Sequence, residues 1–188
     1  INLDGERRIA GTTDEIKITN GNARDIDIGL YVSEKFDLRI EKYVSKITLT
    51  TPTSGTKVYS EGNSKLEKVE VLEKNLGKSN IVVEYKIVVT NEGAVPGYVK
   101  KIVDYLPEGV GFNTELNKDW YLSENGNVYN ASLANEKINP GESKQVTLVV
   151  TKKITEDSLK SPMNNKAEIY ESYNEQGLKD IDSEEGNK

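Results

Sequence analysis

The sequence predicts an all-β fold, an antiparallel β-sandwich, on three observations. Apolar residues recur with period two through most of the apolar segments. Clusters of Gly, Pro and Asn interrupt those segments at short intervals. No segment shows a sustained helical repeat in competition with them. The 188 residues are 35% hydrophobic and 30% charged, with a mean hydropathy of −0.61. That balance gives a thin core under a large surface, which two packed sheets satisfy better than a globule of helices.

Taken in order, residues 1–35 carry turn chemistry at Asn20-Gly-Asn22 between short β-like runs at 15–19 and 26–31. They are expected to be a linker or an added edge strand. Phe36-Asp-Leu-Arg-Ile-Glu-Lys-Tyr-Val44 opens the core by strict alternation, with Phe36, Leu38 and Ile40 on one face. Residues 51–80 are polar and rich in Gly, Ser and Lys, and read as an insertion between the first two core strands. Within them, residues 64–76 have helix-like composition, while Val69, Val71 and Leu72 fit an edge strand about as well. Residues 84–90 place Tyr85, Ile87 and Val89 on one face and stop at Asn91-Glu-Gly93. Residues 98–106 form the next strand and end at the turn Pro107-Glu-Gly109. Trp120-Tyr-Leu and Asn127-Val-Tyr flank Glu124-Asn-Gly126, a hairpin with a primed turn at Asn125-Gly126. Residues 145–151 follow Pro140-Gly141, and residues 165–170 close the series. The domain is expected to span 36–174, with 175–188 an acidic tail leading to a following domain.

The inventory of side chains excludes much chemistry. With no Cys and no His, disulfides, thiolate nucleophiles and the usual general base and zinc ligand are absent. Paired carboxylates remain, but none stands out among 31 acidic residues, so turnover catalysis is not expected. A net charge of −6 and a pI near 5.0 leave no basic stripe for nucleic acid or for an anionic membrane. No run of residues is apolar enough to span a bilayer. The chain opens at Ile1 without a signal peptide and reads as an excised piece of something larger.

Parity identifies three polar residues aimed at the core. Lys42 is in step with Phe36, Leu38 and Ile40; Asp104 with Ile102 and Leu106; Asn165 with Ala167 and Ile169. On one reading they satisfy each other as a buried ion pair with an asparagine neighbour. On the other they react, because burial pushes lysine toward the nucleophilic amine and aspartate toward the carboxylic acid. Such an acid polarises a carboxamide and carries a proton to the departing ammonia. Lys46 shares the parity of Lys42 and is a second candidate donor. Asn164 is a second candidate acceptor, although its parity points outward.

The same segments carry a resemblance. Tyr85-Lys-Ile-Val-Val-Thr-Asn-Glu-Gly93, Ile102-Val-Asp-Tyr-Leu-Pro-Glu-Gly109, Ile138-Asn-Pro-Gly-Glu142 with Val146-Thr-Leu-Val-Val150, and Asn165-Lys-Ala-Glu-Ile169 resemble, in order, strand motifs of isopeptide-forming domains. Those domains occur in Gram-positive pilins and collagen-adhesin-like surface proteins, and the likeness is to their CnaA-like branch. Phe36-Asp-Leu-Arg-Ile-Glu-Lys42 is similar to the family's first strand. The resemblance covers about residues 36–172. It implies an Ig-like, CnaA-like sandwich in which Lys42 is the amine donor, Asp104 the catalytic acid and Asn165 the amide acceptor. It implies a bond formed once, autocatalytically and without a cofactor, in an extracellular module of the cell surface or cell wall. The implied role is a structural stalk or spacer whose partners are neighbouring domains of the same surface protein.

A ligand-binding adhesin module for host matrix or glycan is the alternative, with Trp120, Tyr121 and Tyr129 as an aromatic platform. Asp180, Asp182 and Glu184 alternate in the tail and offer oxygen ligands for calcium, but without a recognised loop they read as a solvated acidic run. Asn130-Ala-Ser132 matches a glycosylation sequon, which has no bearing on a bacterial protein.

Overall fold

The computed structural model describes residues 34–160 and 162–181. The expectations for residues 1–33, including the runs at 15–19 and 26–31, and for Asp182 and Glu184 fall outside the described residues. Nine strands are present among them: β1 (Leu38–Thr51), β2 (Gly55–Ser64), β3 (Ser79–Asn91), β4 (Tyr98–Tyr105), β5 (Val110–Phe112), β6 (Trp120–Leu122), β7 (Val128–Asn130), β8 (Ser143–Ile154) and β9 (Lys166–Tyr173). They form two antiparallel sheets, ordered β2-β1-β3-β8-β5 and β6-β7-β4-β9. The all-β sandwich predicted by period-two patterning is the observed fold.

β3 shows why the pattern was so readable. Its burial alternates along all thirteen residues, with Ile81, Val83, Tyr85, Ile87, Val89 and Asn91 inside. It pairs with β1 on one side and β8 on the other, so every second residue is forced into the core. Leu38, Ile87, Leu148 and Val150 of this sheet meet Ile102, Val128 and Ile169 of the other in one hydrophobic cluster. Truncating a fully buried member such as Leu148 to Ala costs about 2–5 kcal/mol.

β1 does not keep a single phase. Val44 faces Tyr85 and Lys46 faces Glu84, leaving Ser45 as an extra residue in the ladder. The Ser45 hydroxyl donates to the Glu84 carbonyl at 3.0 Å and contacts the Glu84 carboxylate at 2.8 Å, which ties the bulge down. Before the bulge the inward positions are Leu38, Ile40, Lys42 and Val44; after it they are Ile47 and Leu49.

Three expectations need correction. The polar stretch 51–80 is only partly an insertion, because β2 lies within it and edges the larger sheet beside β1. Residues 65–72 form neither a helix nor the suggested edge strand: Val69 and Val71 pack onto the core while Leu72 is exposed, and a short 3-10 turn follows at Glu73–Asn75. The β6–β7 hairpin turns through three residues rather than two. Gly126 N–H donates to Ser123 O and Ser123 N–H to Asn127 O, so Glu124 and Asn125 are the central pair. Gly126, at φ 82°, supplies the left-handed residue after them.

Beyond β9 the chain stays on the sandwich as far as residue 181. Asn174 exchanges hydrogen bonds with the backbone of Leu178, which packs against the core. Asp180 forms a parallel bridge with Phe36, and its carboxylate accepts the Leu38 N–H at 3.1 Å.

Candidate functional site

The site lies where the two sheets face each other. Lys42 projects inward from β1 across from Ile87, and its side chain is 11% exposed. Asp104 projects inward from β4 in the opposite sheet and is fully buried. The Lys42 ammonium donates to Asp104 Oδ2, so this contact spans the sandwich. Asn165 is the residue just before β9, whose Ala167 sits opposite Asp104 on β4. Register therefore sets Asn165 beside Asp104, close enough for its carboxamide to temper the rise that burial gives that carboxyl's pKa.

A fourth residue completes the cluster. Tyr85, across from Val44 on β3, lies diagonal to Lys42 on the inner face. Its ring centre is 4.2 Å from Lys42 Nζ, and the Asn165 carboxamide lies near enough to its hydroxyl to temper the rise that burial gives its pKa. The sequence reading counted Tyr85 as core only. The available signal was a phenol placed in an otherwise aliphatic inward row, since a buried tyrosine hydroxyl needs a partner.

Polar capacity here is left over. Asp104 Oδ1 and both Oδ1 and Nδ2 of Asn165 are buried without an aligned hydrogen bond. Leaving such a group unpaired costs about 1–3 kcal/mol, so native interiors seldom hold several together. Burial lowers the Lys42 pKa against the attraction of Asp104, and raises that of Asp104 against Lys42 and Asn165. Both groups are thus pushed toward their neutral forms, an amine and a carboxylic acid. Burial, helped by the Asp104 charge, also pushes the Tyr85 hydroxyl up to about 12, so it remains protonated at any physiological pH. Lys42, Tyr85 and Asn165 line a cavity of about 330 Å³, whose remaining lining mixes apolar residues such as Val71, Ile81 and Met163 with Lys65, Glu67 and Lys152.

Lys46, the second candidate donor, is turned outward by the Ser45 bulge and pairs with Glu61 at 3.0 Å. Sequence parity misplaced it because one unpaired residue inverts the phase of all that follow. Asn164 is exposed.

The other candidate features separate. Trp120 is core, its indole N–H donating to Thr147 O at 2.8 Å, so it belongs to no surface platform. Tyr121 is half exposed and stacks on Tyr129, which meets Tyr170 edge-on. Asn130 of the sequon is buried, and its Oδ1 accepts from both the backbone and the hydroxyl of Ser132. Among the described residues no group of three or more acidic side chains is gathered to hold a metal ion. Comparison with protein families, with characterised proteins and with solved structures returned no match.

Proposed function

We propose that this chain is a structural stalk or spacer module of a bacterial cell-surface protein, braced by an amide bond between Lys42 and Asn165. The neutral Lys42 amine attacks Asn165 Cγ; Nζ–Cγ forms and Cγ–Nδ2 breaks. Asp104 takes the proton from the amine and returns one to Nδ2, which leaves as ammonia. No oxidant, metal or cofactor enters the balance, and the reaction runs once per molecule. Packing within a folded core supplies the effective molarity that lets so poor an electrophile react.

The observation that carries the reading is the convergence of Lys42, Asp104 and Asn165 from three strands or strand ends, with the carboxamide left unsatisfied. The polar composition and the acidic charge suit a solvent-exposed, wall-associated module, with neighbouring modules of the same polypeptide as its partners.

Intact-mass measurement of the full chain tests it. The expected mass is below the sequence mass by one ammonia, about 17 Da. Lys42→Ala, Asp104→Ala and Asn165→Ala should each return the deficit to zero against their own sequence masses. A wild-type chain at full sequence mass would overturn the proposal. The second reading, an adhesin module for host matrix or glycan, draws support from Tyr121, whose ring is half exposed over Tyr129. Binding of a matrix protein or glycan by this chain, abolished by Tyr121→Ala, would favour it.

A further inference from the structure

Asp104 is given two tasks in the proposed reaction, and one carboxyl group is poorly placed to do both. Its Oδ2 is engaged by the attacking amine, and its proton must travel to the departing nitrogen. Meanwhile the Asn165 carbonyl oxygen becomes an oxyanion as Nζ adds, and needs a donor that does not move away during the step. Among the described residues, Asn165 Oδ1 has no aligned partner in the resting fold.

We infer that Tyr85 assists this cross-link directly, its ring seating the Lys42 amine while its hydroxyl serves the Asn165 carboxamide oxygen. The inference rests on the proposed Lys42–Asn165 bond. Its geometry comes from the register of β1 on β3, which puts the ring centre 4.2 Å from Nζ at a position 5% exposed to solvent. Lys42, Tyr85 and Asn165 all border the same cavity. A phenol suits the task, because it stays protonated in this pocket and donates a hydrogen bond without giving up its proton. Proton traffic is then left to Asp104 alone.

The test follows ring closure in freshly made protein. Full-length chain is synthesised in a short cell-free pulse, sampled over time into acid, and read by the loss of about 17 Da. Tyr85→Phe keeps the ring over Lys42 and removes the hydroxyl; closure should slow by about ten- to a hundred-fold, within the range for losing one oxyanion donor. Tyr85→Leu removes both contacts and should close more slowly still. Melting temperatures compared between Lys42→Ala and Lys42→Ala/Tyr85→Phe, neither able to close, isolate packing and should differ by about 2 °C or less. Closure of Tyr85→Phe at the wild-type rate would overturn the inference. So would slow closure matched by a fall of many degrees in the unlinked pair, since the residue would then act through stability alone. If wild-type chain shows no deficit at any time, the cross-link reading itself fails and this role goes with it; a normal wild-type deficit confines any failure to Tyr85.

Discussion

Two asparagines with enclosed carboxamides, at opposite ends of the core, are treated in opposite ways. Asn91 ends β3 and is fully enclosed; its Nδ2 donates to Val95 O and Ile138 O, both at 2.8 Å, and its Oδ1 accepts from Gly93 N–H at 2.9 Å. Both amide hydrogens and the carbonyl oxygen of that carboxamide are engaged, and it pins two loops to a strand end. Asn165 has neither Oδ1 nor Nδ2 in an aligned bond, although both atoms are enclosed. Asn117 and Asn174 follow Asn91, each satisfied by backbone groups. The chain therefore has ready means to satisfy a buried carboxamide; among the described residues Asn130 lacks a partner at Nδ2 only, while Asn165, beside an amine and an acid, lacks one at both ends. A saturated amide is a strut, while an unsaturated one next to a nucleophile is a reactant held in place.

The sharpest break between the two comes from removing each in turn. Asn165→Ala should abolish the mass deficit and reopen a loop of more than a hundred residues. By the chain-entropy argument used for disulfides this is worth about 5 kcal/mol, so melting should fall by roughly 10–20 °C, as scanning calorimetry would show. Asn91→Ala should destabilise by about 1–3 kcal/mol, because it leaves Val95 O without its partner while Ile138 O and Gly93 N–H retain Gly97 N–H and Asp37 O, and it should keep the full deficit. Loss of the deficit in Asn91→Ala would erase the distinction.

A third effect is one of rate and disappears near neutrality. Closure needs the amine neutral and the acid protonated, a state with one proton shared by the pair. Below the lower apparent pKa the pair gains a second proton on the amine, and closure slows as pH falls. Above the upper one it loses its last proton, and closure slows as pH rises. Because burial raises Asp104 from 3.8 and lowers Lys42 from 10.5, the plateau should be narrower than those limits on both sides. Pulse-labelled closure rates across pH 4–10 would show it, roughly tenfold per unit on each limb. Smallest of all is Lys46→Ala, expected to change stability by no more than about 0.5 kcal/mol and to leave the deficit untouched.

The core strands were legible because each sheet is covered on one face only, which imposes alternation, as in β3, and the inward set Lys42, Asp104 and Asn165 was legible for the same reason. What stayed hidden depends on partners rather than on the strand itself. The Ser45 bulge is defined only by the residues opposite it, so Lys46 looked equivalent to Lys42 until β3 was in place. β2 is a polar edge with little burial and no apolar alternation to reveal it. β5 is three residues long, too short for any period to register. The role of Tyr85 was obscured because a tyrosine inside a β-strand satisfies the apolar pattern with its ring and conceals its hydroxyl.

The Phe36–Asp180 bridge carries a mechanical consequence. The two segments run parallel, so pulling on the chain beyond them slides one past the other and strains their contacts together instead of peeling them singly. Should they slip, the proposed bond from residue 42 to residue 165 arrests the extension. Only some twenty residues can then straighten, roughly 70 Å of slack at the reach of an extended backbone. Most of the sandwich would never feel the force.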